Sequence, residues 1–245
     1  MKIAVIGSGI SGLSSAYYLS KKHKVDLFEK QDRFGGHSYT LDVEYDVKEK
    51  VSVDIGFMVF NKITYPNLIS FFEENKIEIE KSDMSFSVNV KNTNIEYCGK
   101  GLNGIFSNRS NLFNYKFVKM FFEIINFYKG CENLDANSLE DNITLGQYLE
   151  KIKKTDYFIN YHIIPMVSAI WSMPPYEASQ MPLTFFLNFF KNHGLFKLKN
   201  RPQWFTVTNR SKTYVNKILS QISGEYYKNY EINKIERNNS VVKVY

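Results

Sequence analysis

Three observations predict an α/β chain. An apolar strand, Ile3 to Ile6, runs directly into Gly7-x-Gly9-x-x-Gly12 and a helical pattern. A second strand, Lys24 to Phe28, follows and ends at the acid Glu29. The middle of the chain then turns to helical spacing, and strand, helix and hairpin patterns return near residue 207. Together they predict a Rossmann-like dinucleotide-binding domain interrupted by a helical and β insertion. The expected division is 1–62 and 205–245 for the domain and 63–204 for the insertion.

Each residue of the first motif has a physical reason. Gly7 permits the tight turn out of the strand, Gly9 lets a pyrophosphate approach the backbone, and Gly12 lets the helix pack close to the sheet. The helix is expected over Ser11 to Lys21, and its opening amides, Ile10 to Leu13 with Ser11 and Gly12 between, point at the phosphates with the helix dipole behind them. Glu29 falls where a carboxylate accepts hydrogen bonds from ribose hydroxyls, and its charge disfavours a 2′-phosphate. A glycine turn in an ordinary α/β sheet explains the strand and the turn but not the position of Glu29.

The glycines alone do not separate FAD from NAD. The next stretch, Glu29-Lys30-x-x-Arg33-x-Gly35-Gly36-His37, resembles the second motif of the FAD-dependent amine oxidase superfamily, which also holds phytoene-desaturase-like and protoporphyrinogen-oxidase-like enzymes. The resemblance implies FAD as cofactor. It brings Arg33, Gly35 and Gly36 to the flavin's phosphate and ribityl region and His37 to phosphate or ribityl oxygens. Close backbone approach and a fixed cation suit that role. Val53-Asp54-Ile55-Gly56-Phe57 resembles the strand that returns beside the flavin, with Asp54 orienting a neighbouring backbone or Arg33, and Gly56 clearing space for the ring. Ile164-Pro165-Met166, Ile170-Trp171-Ser172, Phe189 to Leu195, Arg201-Pro202-Gln203-Trp204 and Tyr214-Val215 resemble one branch of that superfamily, known as predicted NAD/FAD-binding proteins. That branch carries small residues before the Tyr214-Val215 helix, where this chain has Asn209-Arg210-Ser211.

The remaining elements follow from local pattern. Strands are expected around 39–46 and 51–56. Pro66 suits the first turn of a helix to Glu74. Residues 84 to 97 alternate with period two around a turn at Asn92-Thr93-Asn94, which reads as a hairpin on a second, substrate-facing sheet. Helices are expected over Leu112–Tyr128, over Leu145–Lys153 with Thr144 as N-cap, over Tyr157–Ile164 continuing past Pro165 or breaking there, over Glu177–Met181 and over Leu183–Asn192. The Phe185, Phe186, Phe189, Phe190 stripe reads first as core, and the helical insert as a cap on the substrate side. Ser211–Ser220 reads as a helix, Tyr226-Tyr227 as the start of a strand, and Glu231–Arg237 with Val241–Val244 as a hairpin. By resemblance Ile232 bonds adenine through its backbone; an edge hairpin without a ligand is an equal reading.

Composition bounds the rest. At 245 residues with 44% hydrophobic content, the chain can bury a sizeable core. Its net charge of +6 is spread among acids with no long like-charged run, so no nucleic-acid partner is expected; phosphate cofactors or a peripheral membrane contact account for the excess equally well. Cys98 and Cys131 read as free thiols of a reducing compartment, the four histidines show no metal spacing, and a strand beginning at residue 2 implies no signal peptide. The expected location is cytoplasmic, with no metal.

The resemblance implies a flavin-dependent oxidoreductase that takes a hydride from a C–N or C–C bond of a hydrophobic amine or lipid-like substrate. It names no catalytic residue, and His37 and His193 read as structural before catalytic. Superfamily members carry a further C-terminal portion ending in a Gly-Asp motif, so a fragment is expected, with two alternatives: a non-catalytic FAD-binding piece or a subunit completed by a second chain. An NAD-dependent dehydrogenase shares Gly7 to Glu29 but does not account for Arg33-x-Gly35-Gly36.

Overall fold

The computed structural model describes residues 1–46, 49–135, 142–238 and 241–245. They form two compact units, Met1–Asp83 with Gln203–Tyr245, and Met84–Pro202.

The first unit opens with β1 (Lys2–Ile6), α1 (Ile10–Ser20) and β2 (Lys24–Phe28). β1 and β2 pair in parallel with Ile3 opposite Val25 and Ile6 opposite Phe28, so the intervening helix makes the crossover that parallel strands require. An antiparallel ribbon follows, β3 (Thr40–Asp46) and β4 (Glu49–Asp54). Then come β5 (Phe60–Asn61), α2 (Pro66–Glu74) and β6 (Ile79–Ser82). Pro66 stands in the first turn of α2, where its missing N–H costs nothing.

The second unit begins with a hairpin, β7 (Ser87–Asn89) and β8 (Glu96–Cys98). Helices follow: α3 (Gly101–Ile105), a 3-10 turn at Arg109–Phe113, α4 (Tyr115–Asn133), α5 (Leu145–Lys151) and α6 (Asp156–Phe158). A π-helical stretch, Ile159–Ile163, leads straight into α7 (Ile164–Trp171), and α8 (Pro175–Gln180) and α9 (Leu183–Asn192) complete the unit. Its core is aromatic: Phe117, Phe158, Phe186 and Phe190 are wholly buried. α5 starts on a capping box, in which Thr144 Oγ1 accepts from the Gln147 amide at 3.2 Å and Gln147 Oε1 accepts from the Thr144 amide at 2.9 Å.

The helix continues through Pro165 because its lost hydrogen bond is replaced. Proline removes the N–H that would close the α-helical bond to the Tyr161 carbonyl, and the Tyr97 hydroxyl donates to that carbonyl at 2.7 Å. Since Tyr97 spends its proton there, it accepts from His162 Nδ1 at 2.9 Å, which leaves Nε2 to accept from the Tyr128 hydroxyl at 2.9 Å. Burial, and secondarily the charge of Arg201, pushes the imidazole pKa down to about 3, so His162 sits neutral in the core.

The chain then re-enters the first unit as β9 (Trp204–Val207), which lies between β5 and β6 and is antiparallel to both. After α10 (Ser211–Leu219), β10 (Tyr226–Tyr227) joins the free side of β2 in parallel, giving the order β1-β2-β10. β11 (Ile235–Arg237) and β12 (Val242–Val244) close as an antiparallel pair.

Two sequence expectations change here. Residues 63–83 pack in the first unit and not with the insert. Phe71 and Phe72 of α2 join Leu13, Tyr17 and Tyr214 in its core, and β6 needs β9 as its partner. Ile232 lies ahead of β11, so the last hairpin is shorter than its pattern suggests. Among the described residues no helix is long and apolar enough to cross a membrane.

Candidate dinucleotide site

Two loops of the first unit meet to form the site. The first carries the chain from β1 into α1. Gly7 has φ +88°, in the left-handed region where side chains are strained. Gly9 is the N-cap of α1, with no side-chain cap and no acid in the first turn. The first helical bond is Leu13 N–H to Gly9 O at 2.9 Å, so the amides of Ile10, Ser11 and Gly12 precede the helical ladder. A Cβ at Gly12 would lie 1.8 Å from the Gly7 carbonyl oxygen, which is why the helix can begin this close to the strand end only with glycine there.

The second loop is Gly35–Ser38. A Cβ on Gly36 would approach Gly9 Cα to 3.0 Å, so the two glycine loops are packed backbone to backbone. By contrast, a Cβ at Gly7 or Gly9 would meet nothing within 4 Å. A cavity of about 540 Å³ opens there. Ile6, Gly7, Gly9, Ile10, Ser11, Gly12, Gly35, Gly36 and His37 line it, together with Ser38, Phe57, Tyr65, Leu68 and Tyr214. Uncapped helix amides and bare glycine faces fit a pyrophosphate: the donors and the partial positive charge are in place, and no side chain fills the approach.

Glu29 braces the loops. Its Oε2 accepts from the Ser8 amide at 2.9 Å and from Ser8 Oγ, and its Oε1 accepts from the Gln31 amide at 3.0 Å. Ser8 Oγ in turn accepts from the Gly35 amide at 3.0 Å, which ties the second loop to the first. Burial works to raise the Glu29 carboxyl, but the Ser8 and Gln31 hydrogen bonds outweigh it and hold the group below its usual range.

Several other expected site residues stand off the cavity. Arg33 Nη1 donates to the Gly36 carbonyl at 2.8 Å, and its guanidinium stacks 3.6 Å over the Tyr39 ring, so it supports the second loop from behind. Asp54 holds α10: it accepts from the Ser211 amide at 3.0 Å and from Ser211 Oγ at 2.7 Å. The neighbouring backbone it orients is therefore that of Ser211, and not Arg33. A Cβ on Gly56 would strike the His37 carbonyl oxygen at 2.1 Å, so Gly56 lets the chain after β4 press against the second loop. Lys30 Nζ lies 3.5 Å from Glu231 on the surface, and Ile232 does not line the cavity. His193 belongs to the second unit, where it stacks 4.0 Å from Phe189 at the end of α9.

Sequence reasoning missed Tyr65, Leu68 and Tyr214 as cavity walls. Tyr214 carries the signal of a buried core aromatic, and only its hydrogen bond to Ser38 Oγ brings it to the loop. Burial raises both the Tyr65 and Tyr214 hydroxyls. Arg210, which stands where the resemblance leads one to expect a small residue, has φ +74° and ψ 168°, a region essentially reserved for glycine. Its Nε donates to the Ser52 carbonyl at 2.9 Å, a contact that glycine would lack.

Comparison with known proteins agrees with this geometry. A family described as NAD(P)-binding Rossmann-like domain matches residues 5–74. The 4,4'-diapolycopen-4-al dehydrogenase of Metabacillus indicus is 51% identical over 51 residues, 20% of this chain and 10% of that protein. Prenylcysteine oxidase 1 of Rattus norvegicus is 51% identical over 47 residues, 18% of this chain and 9% of that protein. The structure of cyclohexylamine oxidase from Brevibacterium oxydans IH-35A superposes with a TM-score of 0.65 at 17% identity, covering 100% of this chain and 54% of that one. The chain thus spans about half the length of that solved structure, and the matched motif segment about a tenth of the two relatives. The family match thus shows a Rossmann-like dinucleotide-binding segment over residues 5–74, and the solved structure shows a shared fold.

Proposed function

We propose that the chain works as an FAD-dependent oxidoreductase of the amine oxidase type, with a hydrophobic amine or a lipid-like molecule as substrate. When bound, FAD would supply the acceptor for a hydride taken from a C–H bond at the carbon of a C–N or C–C single bond in that substrate, and that single bond becomes a double bond as a proton leaves the neighbouring atom. The observation that carries the reading is the pair of glycine loops, with the α1 amides uncapped beside a cavity of about 540 Å³. In this reading the amides of Ile10, Ser11 and Gly12 bind the pyrophosphate, Gly7, Gly9, Gly35 and Gly36 let it approach, and His37 lies at its edge. Glu29 keeps its charge through the Ser8 and Gln31 bonds, so it stands ready to accept from ribose hydroxyls while it fixes the loops. Arg33, Asp54 and Gly56 act one step back, by holding the second loop and α10 in place. Two relatives are named for a prenylcysteine and a diapolycopenal and one solved structure for cyclohexylamine, which supports an apolar substrate without choosing between a lipid-like molecule and an amine.

The test is an absorption spectrum of the purified chain, with acid-released cofactor identified by chromatography. Flavin bands and released FAD are expected, and Gly9→Val should remove both while the chain stays folded by circular dichroism. A colourless wild type that takes up NAD but not FAD would overturn the reading.

A second reading, a dinucleotide-binding subunit completed by another polypeptide segment, is favoured by β1. Its ladder partner among the described residues is β2 alone, and its Ala4 and Ile6 side chains are exposed. An apolar strand with an open edge accepts a further strand. Flavin uptake without turnover on any amine or polyene would favour this reading over the first.

A further inference from the structure

We propose that a second hollow of the first unit, behind the Gly35–Ser38 loop, binds the phosphate group of a small soluble molecule. This hollow has a volume of about 280 Å³, and Arg33, Lys212 and Lys228 line it with the single acid Asp32. Among the described residues neither Arg33 nor Lys228 has a carboxylate partner. Each is instead held by neutral groups. Arg33 bonds the Gly36 carbonyl and stacks on Tyr39, and Lys228 Nζ lies 5.9 Å from the centre of the Phe34 ring. Lys212 is fixed by Asp42 at 2.6 Å and Ser52 Oγ at 3.0 Å.

These cations converge from three separate segments: the turn after β2, the first turn of α10 and the loop after β10. Arg33 and Lys228, which no carboxylate pairs among the described residues, leave positive charge beside the apolar faces of Phe34 and Val215, and an anion is attracted there. Phosphate suits the geometry better than a carboxylate, because its several charged oxygens can meet cations arriving from different sides at once. The Asn216 side-chain amide, also on the wall, has no protein partner among the described residues and adds a donor. The hollow is distinct from the dinucleotide cradle. The start of α10 is already engaged, its Ser211 amide by Asp54 and its Lys212 amide by Thr40 Oγ1, so recognition falls to side chains. Ser38 is the residue that lines both hollows, which makes the Gly35–Ser38 turn their common wall.

Calorimetric titration of inorganic phosphate at low ionic strength tests this on the wild type, Lys228→Gln and Gly9→Val. Lys228 is exposed, so its replacement leaves the core untouched. The expected result is saturable binding of one phosphate that persists in Gly9→Val, where the cradle is blocked, and weakens about tenfold or more in Lys228→Gln, the loss of roughly 1.4 kcal/mol from one charged contact. Three outcomes would overturn the proposal: no saturable binding, binding lost in Gly9→Val but kept in Lys228→Gln, or binding only to phosphatidic acid vesicles with free phosphate inert.

Discussion

The first unit's glycine cradle and the second unit's His162 network treat polar groups in opposite ways. At the cradle, the amides opening α1 precede its first helical bond and face a cavity, and no side chain caps them. Around His162 every polar atom is spent internally: Tyr128 donates to the imidazole, the imidazole to Tyr97, and Tyr97 to the carbonyl that Pro165 leaves without its helical donor. Donors aimed at open space are what a ligand site needs, since the ligand then supplies the missing partner. Donors closed on one another fix a core, because any unpaired member would cost its full desolvation energy. His162 is thus a buried histidine whose surroundings speak for stability, and Gly9 a surface glycine whose surroundings speak for binding.

The contrast can be broken by substitution. His162→Ala should have the largest effect, lowering the stability of the second unit by about 3–5 kcal/mol, since it opens a cavity and removes one hydrogen-bond partner from each of two buried tyrosine hydroxyls. Trp171 lies in that unit and Trp204 in the other, so urea unfolding followed by fluorescence in a Trp204→Phe background reports the effect cleanly. A loss below about 1 kcal/mol would mean that the network is dispensable. Gly12→Ala should come next, at about 1–3 kcal/mol, because its Cβ would sit 1.8 Å from the Gly7 oxygen. Unlike His162→Ala, it should also abolish dinucleotide uptake, and a variant that keeps its flavin would show that α1 can move off the end of β1 without loss of the site.

Acid gives the most graded effect. The folded pKa of His162, about 3, lies below the ordinary value of 6.5, so the unfolded chain binds the proton more readily. The contribution of the neutral imidazole is fully present above pH 6.5 and falls as pH drops from 6.5 toward 3, by about 1.4 kcal/mol per pH unit within that window. Comparing Trp171-detected unfolding of the wild type with His162→Gln at pH 7 and pH 4 isolates this residue from the carboxylates. Parallel pH dependence in both proteins would place the acid sensitivity elsewhere.

Much of the site was legible because backbone geometry, and not side-chain contact, makes it. Gly7, Gly9 and Gly12 act through local turn and packing requirements that a short window states completely, and Gly35 and Gly36 work in the same way. Arg33 and Asp54 were legible as important residues but not in their contacts. A charged side chain can point to either side of its strand or turn, and tertiary packing turned Arg33 onto Tyr39 and Asp54 onto Ser211. The capping box at Thr144 was half visible: the cap residue was read, and the return bond from Gln147 appears only in three dimensions. Pro165 left continuation and breakage open, and the answer came from Tyr97, which lies 68 residues earlier in the chain (165 − 97) and donates to Tyr161.

By itself the sequence determined the βαβ unit, its glycine turns, the acid at the end of β2 and the helical character of the insert, all of which rest on interactions among near neighbours. Tertiary structure alone decided that α2 and β6 belong with the first unit, that Tyr65 and Tyr214 wall the cavity, and that His162 closes a buried circuit of hydrogen bonds. The reason is common to the three. Each depends on which distant segments are brought together, and the free energy of those contacts is set by burial and hydrogen-bond pairing that no local pattern encodes.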